Sequence, residues 1–381
     1  MPEKSQEIPE FPLRSIYFYP TESCNLRCTH CWVHPAYAPD EDIYKTQNRE
    51  NISVETMDRV VQDAIPLGLN HIKLTGGEPF LNPQLFEFLE CFSRHGLSLS
   101  FETNGTLLTK MVVKRLKQYK IQQVSTSLDG STPELHERIR RVKGSFDKTI
   151  TGVRLLIGEG IYPQVIFCLQ KINAHDLENT IQLAQKMGVR SFEINPLSLL
   201  GEGGVQTGDC EGLPIEELLS LEKLVEGELA GRYPDIHIDL YLPPALKGMK
   251  ELSMNALYTC KIHNICGILS NGDVSICGIG RTKKSLIMGN VRETNIARIW
   301  EEGAIFREIR EKVPFQMEGV CGRCLFKHHC LGFCRADVLF DKQSILEPYG
   351  ICEEVFQKGL FPESRLFSDR EISQVRRSRA I

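Results

Sequence analysis

The chain has 381 residues, 41% of them hydrophobic and 25% charged, which is enough for one large or two medium domains with cores of their own. Its 45 Lys and Arg against 49 Asp and Glu leave a formal net charge of −4, so there is no electrostatic footprint for nucleic acid and no nucleic-acid partner is expected. No apolar run approaches the ~20 residues of a membrane helix, and Met1-Pro2-Glu3-Lys4 does not open a signal peptide, so no membrane partner is expected.

The chain carries 14 cysteines. A cytoplasmic location is expected, where thiols stay reduced, and so many thiols then suit metal or cluster ligation better than disulfides. They fall mainly into two groups, residues 24 to 31 and 260 to 352, with Cys91, Cys168 and Cys210 standing apart. Cys168 lies in the apolar run Val165–Leu169 and reads as a small core residue.

In chain order, Ser15–Tyr19 reads as a strand, and the next unusual stretch is Cys24-Asn25-Leu26-Arg27-Cys28-Thr29-His30-Cys31. Three thiolates on one loop can hold three irons of a cubane cluster and leave the fourth corner open. A closed structural zinc site uses four ligands, so a zinc knuckle is the weaker reading. Further strands are expected at His71–Leu74, Leu97–Glu102, Gln123–Leu128, Gln164–Leu169 and Ser191–Asn195. Amphipathic helical spacing fills the gaps at Val54–Leu67, Gln84–His95, Lys110–Tyr119, Ser145–Ile157 and His175–Met187, and Pro214–Ala230 follows the last strand. Six β-then-α units with right-handed crossovers give a parallel sheet that curls without closing an eight-stranded barrel.

In such a sheet the chemistry sits at the C-terminal strand ends. There the sequence places Gly76-Gly77-Glu78-Pro79, then Thr103-Asn104-Gly105, then Ser127-Leu128-Asp129-Gly130. Paired glycines allow close backbone approach to a ligand, although Asn-Gly and Asp-Gly are also ordinary turn signals. The stretch Gly201–Gly212 reads as a loop near the barrel mouth. Beyond Tyr233-Pro234 the cysteines return, and Ile265–Cys277 reads as a β-hairpin turning at Asn271-Gly272. Cys260, Cys266, Cys277, Cys321, Cys324, Cys330, Cys334 and Cys352 make two sets of four, and by themselves suit two zinc ribbons or two iron–sulfur clusters.

The C-x3-C-x2-C loop followed by GGEP resembles the radical S-adenosylmethionine (SAM) enzymes, and the resemblance runs over nearly the whole chain. It implies an α/β fold, a partial (β/α)6 TIM-like barrel, with a 4Fe–4S cluster on Cys24, Cys28 and Cys31 whose fourth iron is chelated by SAM. It implies SAM contacts from Gly76, Gly77, Glu78, Pro79, Thr103, Asn104, Ser127 and Asp129. His136-Glu137-Arg138-Ile139-Arg140 is similar to the family's H-D-x-I-R stretch, which places Arg140 at the SAM carboxylate; Glu137 and Arg141 depart from the commoner Asp and Gly. The spacing Cys260-x11-Gly272-x4-Cys277, then Cys321-x2-Cys324-x5-Cys330-x3-Cys334 and Cys352, resembles the SPASM domain. That pattern implies one auxiliary 4Fe–4S cluster on Cys260, Cys266, Cys277 and Cys334 and another on Cys321, Cys324, Cys330 and Cys352, three clusters in all.

The expected domains are a lead at 1–14, the radical SAM barrel at 15–234, a small SPASM domain at 235–355 and a polar tail at 356–381 that carries Arg376-Arg377-Ser378-Arg379. The resemblance implies an oxidoreductase that abstracts hydrogen with a 5′-deoxyadenosyl radical, served by an external one-electron donor such as flavodoxin or ferredoxin. The first reading is a maturase acting on a peptide or protein. The second is an enzyme of small-molecule cofactor biosynthesis, of haem or quinone type; a non-enzymatic metal scaffold is the third. Only 23 residues precede Cys24, so any precursor-recognition module is expected to be a separate protein. Gly278 after Cys277 counts against sulfatase-maturing activity, where an Asp is usual.

Overall fold

The computed structural model describes residues 10–33, 35–37, 51–198, 200–204, 210–253, 259–342 and 344–368. The charge run at Arg376–Arg379 lies outside them. Strands β1 (Ser15–Phe18), β2 (His71–Leu74), β3 (Ser98–Thr103), β4 (Ile121–Ser127), β5 (Gln164–Leu169) and β6 (Ser191–Pro196) stand side by side in that order, all parallel. Each boundary lies within two residues of the one read from the hydrophobic pattern.

The connecting helices are α1 (Val54–Ala64), α2 (Leu85–Arg94), α3 (Lys110–Leu116), α4 (Pro133–Arg140), α5 (Ser145–Gly158), α6 (Leu177–Met187) and α7 (Ile215–Leu224). Helix α4 goes beyond the sequence reading. Thr132 caps it by accepting a bond from the Leu135 amide at 3.4 Å, and Pro133 occupies its first turn, where a missing N–H costs nothing. The expected Pro214–Ala230 helix continues past α7 as a π turn at Val225–Leu229.

Two more parallel strands extend the sheet. β7 (His237–Leu240) pairs with β6, and β8 (Ile265–Ile268) pairs with β1. Thus β7 lies in the stretch read as the start of the second domain but belongs to the barrel sheet. β9 (Asp273–Ser275) returns antiparallel on β8 through a turn at Gly272, whose φ is +90°, and β10 (Gly289–Asn290) completes a ten-stranded sheet. The cysteine-rich hairpin is therefore a continuation of the barrel sheet.

Side chains alternate along β1. Ile16 and Phe18 are fully buried against α1 and α2 through Val60, Val61, Phe88 and Phe92, each large apolar side chain contributing about 1.5–3 kcal/mol by burial. Tyr17, Lys73, Glu102, Asn195 and Tyr241 face the other way, into the concave side. No helix of the described residues is long and apolar enough to cross a membrane.

Candidate active site

The three-cysteine loop runs past the C-terminal end of β1. The loop and the GG turn after β2 are joined backbone to backbone: the Gly77 amide donates to the Thr21 carbonyl (3.2 Å) and the Glu78 amide to the Ser23 carbonyl (2.8 Å). A Cβ on Gly77 would stand 2.0 Å from the Ser23 carbonyl oxygen, so only glycine permits this approach, and Gly76 adopts φ +122°. On its other side the loop is held by α4. The Arg27 and Thr29 amides donate to the Arg140 and Ile139 carbonyls, at 3.1 and 3.0 Å. Carbonyls in a helix's last turn lack intrahelical partners, and the cysteine loop supplies them.

Glu78 is fully buried. Its carboxylate accepts from Thr103 Oγ1 (2.8 Å), the Asn104 amide (2.8 Å) and the Phe80 amide (3.3 Å). It therefore braces the ends of β2 and β3. Burial raises its pKa to about 7 against the lowering effect of those three bonds. Pro79 is buried in the short 3₁₀ turn that follows. Asn104 Nδ2 donates to Asn25 Oδ1 (2.9 Å) and lies 3.9 Å from Cys24 Sγ, which ties β3 to the cysteine loop. Ser127 ends β4, half-buried.

Asp129 and Arg140 form a buried ion pair, Nε to Oδ2 2.6 Å, and Arg140 Nη1 lies 3.4 Å from Cys28 Sγ. Burial opposes the guanidinium charge, yet Asp129 and then Cys28 hold it protonated; burial likewise opposes the Asp129 charge, which Arg140 restores. Arg140, expected at a ligand carboxylate, is thus turned toward a carboxylate and a thiol of its own chain. His30, the variable position of the cysteine motif, approaches Asp129 at 3.8 Å, and burial lowers its pKa to about 4, leaving it neutral near pH 7.

The sequence reading singled out nothing at the end of β5. There Gln170 is fully buried, its Nε2 3.3 Å from His30 Nδ1, and its Oε1 has no hydrogen-bond partner among the described residues. Thr29 Oγ1 and Asn195 Oδ1 are likewise buried and unpartnered. Such groups around a strand-end concavity suit a polar ligand. A polar residue directly after the apolar run Val165–Leu169 was the available signal for Gln170.

A cavity of about 590 Å³ opens below this loop, inside the curl of the sheet. Tyr19, Trp32, Lys73 and Glu102 line one side; Cys260, Cys277, Cys334 and Asp337 line another. Lys73 pairs with Glu102, which also accepts from Thr75 Oγ1 at 2.7 Å. Ser198 Oγ donates to Asp337 at 2.7 Å. A second, small cavity of about 20 Å³ is lined by Cys321, Cys324, Cys330 and Cys352 with Met317 and Phe326. Between Cys330 and Cys334, Leu331, Gly332 and Phe333 all take positive φ, at 53°, 75° and 61°. This tight wrap sends Cys330 to the small cavity and Cys334 to the large one.

The donor chemistry fits iron–sulfur clusters in three places. Three thiols on the first loop leave one corner of a cubane free, and four thiols around an apolar pocket suit a closed one. The third set is Cys260, Cys277 and Cys334. Cys266, expected with them, does not join it: it is fully buried among Ile16, Ile268, Val274 and Ile276 on the helix-facing side of the hairpin.

Comparison with known proteins agrees with this fold. A sequence model of the radical SAM superfamily matches residues 18–184, and one described as an iron–sulfur cluster-binding domain, SPASM, matches residues 260–325. The chain is an enzyme of the radical SAM superfamily with a C-terminal SPASM domain. Among its relatives, an AdoMet-dependent heme synthase of Methanosarcina barkeri is 26% identical over 351 residues, covering 89% of this chain and 96% of the relative. The mycofactocin maturase MftC of Mycobacterium tuberculosis is 25% identical, covering 84% and 78%. Of solved structures, Streptococcus suis SuiB bound to precursor peptide SuiA superposes with a TM-score of 0.69 at 17% identity, covering 91% and 77%. The anSMEcpe structure with AdoMet and a Cp18Cys peptide superposes with 0.65 at 20%, covering 90% and 97%.

Proposed function

We propose that this enzyme oxidises or cross-links a peptide or protein substrate held in the 590 Å³ cavity. In this reading Cys24, Cys28 and Cys31 hold the SAM-binding 4Fe–4S cluster, and two auxiliary clusters lie on the cysteines of the second half. The cluster and SAM, held there, would supply the radical chemistry for hydrogen abstraction from the substrate. Gly76, Gly77, Glu78, Pro79, Thr103, Asn104, Ser127, Asp129 and Arg140 shape the SAM pocket. Glu78 and Asn104 do so by bracing the strand ends, and Arg140 by holding Cys28 against Asp129. An external one-electron donor such as flavodoxin or ferredoxin and a cytoplasmic location belong to the same reading.

The observation that carries the choice of substrate is the charge of the cavity. Its cations, Lys73, Arg335 and Lys342, are equalled in number by the carboxyl groups Glu102, Asp337 and Glu354, and Lys73 is ion-paired with Glu102. Arg335 is fully buried and donates to the carbonyls of Gly332, Ile345 and Glu347. A porphyrin with several carboxylates needs unpaired cations; a largely apolar wall with one Lys–Glu pair suits a peptide side chain better. The haem-type reading is favoured by the heme synthase relative, whose length is almost fully covered.

The test is anaerobic reconstitution with iron and sulfide, then incubation with SAM, reductant and either candidate peptides or iron-coproporphyrin. About twelve irons per chain and 5′-deoxyadenosine release are expected. Cys28→Ala should abolish that release and leave about eight irons. Turnover of the porphyrin alone would replace the peptide reading with the second one.

A further inference from the structure

The outer side of the barrel carries a side-chain cluster that the radical site does not use. Helices α1 and α2 lie side by side over the helix-facing side of β1, with Val60, Val61, Phe88 and Phe92 in the layer against the sheet. Three unlike donors converge between them. Asp58 comes from α1; Cys91 and His95 stand four residues apart at the end of α2, a spacing that sets two side chains on one helix face. Cys91 Sγ donates to Asp58 Oδ1 at 3.2 Å, and His95 Nε2 lies 2.7 Å from the same oxygen. The three donor atoms all fall within 4.8 Å of one another. In a tetrahedral zinc site, with bonds of about 2.0–2.3 Å, neighbouring ligand atoms stand ~3.3–3.7 Å apart. Small rotations of the side chains therefore bring this set onto a metal.

The surroundings suit a ligand set. The other carboxylate oxygen of Asp58 accepts from Gln62 Nε2 at 2.8 Å, which fixes the carboxylate with Oδ1 toward the cluster. Cys91 is fully buried, whereas His95 and Asp58 keep 21% and 26% of their side chains exposed, which gives a metal a way in from solvent. The Arg94 guanidinium, 3.7 Å from Oδ1, is itself mostly exposed and can swing into water. Nucleophilic catalysis is a poorer fit: thiol and imidazole both address the carboxylate, and no part of Cys91 faces a substrate. Burial, and then Asp58, push the thiol up to about 12, so at neutral pH it carries a proton that a metal ion would replace.

We infer that Asp58, Cys91 and His95 form a site for one zinc-type divalent cation, separate from the iron–sulfur cysteines, with water in the fourth position. One thiolate, one imidazole and one carboxylate make a borderline-soft set, which selects zinc over magnesium or calcium. On binding, the Cys91 proton leaves to solvent and the metal takes over the contacts that Asp58 makes to Cys91 and His95. The ion then clips α1 to α2, the helix that follows the GGEP turn, on the side of the sheet opposite the cavity.

The test uses the full chain with its iron–sulfur clusters reconstituted, so that the cluster thiols are occupied, dialysed anaerobically against Zn2+. One zinc per chain is expected with iron unchanged, and zinc-edge X-ray absorption should show a single sulfur among nitrogen and oxygen ligands. Zinc lodged in a cluster site would instead show several sulfurs and displace iron, and would overturn the inference. His95→Gln keeps a hydrogen-bond donor for Asp58 at a half-buried position. It should retain its circular dichroism spectrum and iron content, yet bind zinc more than about 100-fold more weakly, beyond the loss that an outer-shell partner causes. Cys91→Ser should behave alike and lose the sulfur signal; if it does not fold, Asp58→Asn serves the same comparison. Zinc should raise the thermal midpoint of the unmodified protein and not that of His95→Gln. No bound zinc, or zinc held equally by His95→Gln, would leave the three residues as a hydrogen-bonded clamp between helices and overturn the site. A chain that takes up no iron counts against the radical reading alone, since a difference of one zinc between it and His95→Gln still reads this site.

Discussion

At the scale of single residues, the site depends on a contact that admits no side chain. Gly77→Ala would set a methyl group 2.0 Å from the Ser23 carbonyl, so the cysteine loop must leave the GG turn. The expected result is a cluster-free protein with lower stability, by about 1–3 kcal/mol for overpacking, and loss of the four irons of the first loop on reconstitution. Glu78 gives a pH signature. Its folded pKa, about 7, lies above the ordinary 4.5 because burial disfavours the charge. A raised carboxyl pKa adds stability that is fully present below 4.5 and disappears as pH rises through 7. The unfolding free energy of the cluster-free protein, read from urea titrations, should fall across that window by on the order of 3 kcal/mol at most, and Glu78→Gln should flatten the slope.

At the scale of elements, α4 shows how a helix end serves the site. Its last carbonyls receive the cysteine loop, and Arg141 just beyond takes a left-handed φ of 57°. A non-glycine residue there costs about 1–2 kcal/mol. Arg141→Gly should therefore raise the unfolding free energy, read from urea titrations, by roughly 1 kcal/mol and leave iron content unchanged; a loss of stability would mean that the Arg141 side chain contributes more than the strain costs. The same helix explains a miss in the sequence reading. Its eight residues, PELHERIR, have few apolar positions, so periodicity was faint, although Thr132-Pro133 is a helix-start signal.

At the scale of the molecule, the two cysteine-rich halves share cores. One cluster joins Ile16, Phe18 and Phe88 of the barrel to Ile268, Val274, Trp300 and Phe306 of the second half. The other joins Phe167, Phe192 and Ile238 to Cys321, Cys330 and Val355. A fragment ending near residue 240 would leave β1 without its β8 partner and expose both cores. Such a fragment should express as aggregate or bind the apolar dye ANS, whereas the full chain should not; a monomeric, cooperatively unfolding fragment would disprove this dependence.

Spacing along the chain was enough to read the three-cysteine loop, the GG turn and the six-strand alternation, because each is local: a thiolate motif, a turn and a period need only neighbouring residues. Of the strand-end residues read as ligand contacts, Gly77, Glu78 and Asn104 bond to the cysteine loop directly, and Thr103 reaches it through Glu78 and Asp129 through Arg140. Three things were not legible. The strand His237–Leu240 has its own alternation, but only pairing with β6 assigns it to the barrel. Gln170 becomes conspicuous only once burial strands its amide oxygen. The face of Cys266 follows from hairpin register, where a shift of one residue reverses every side chain, and register is decided by packing between distant segments such as β1 and β8, which no count along the chain contains.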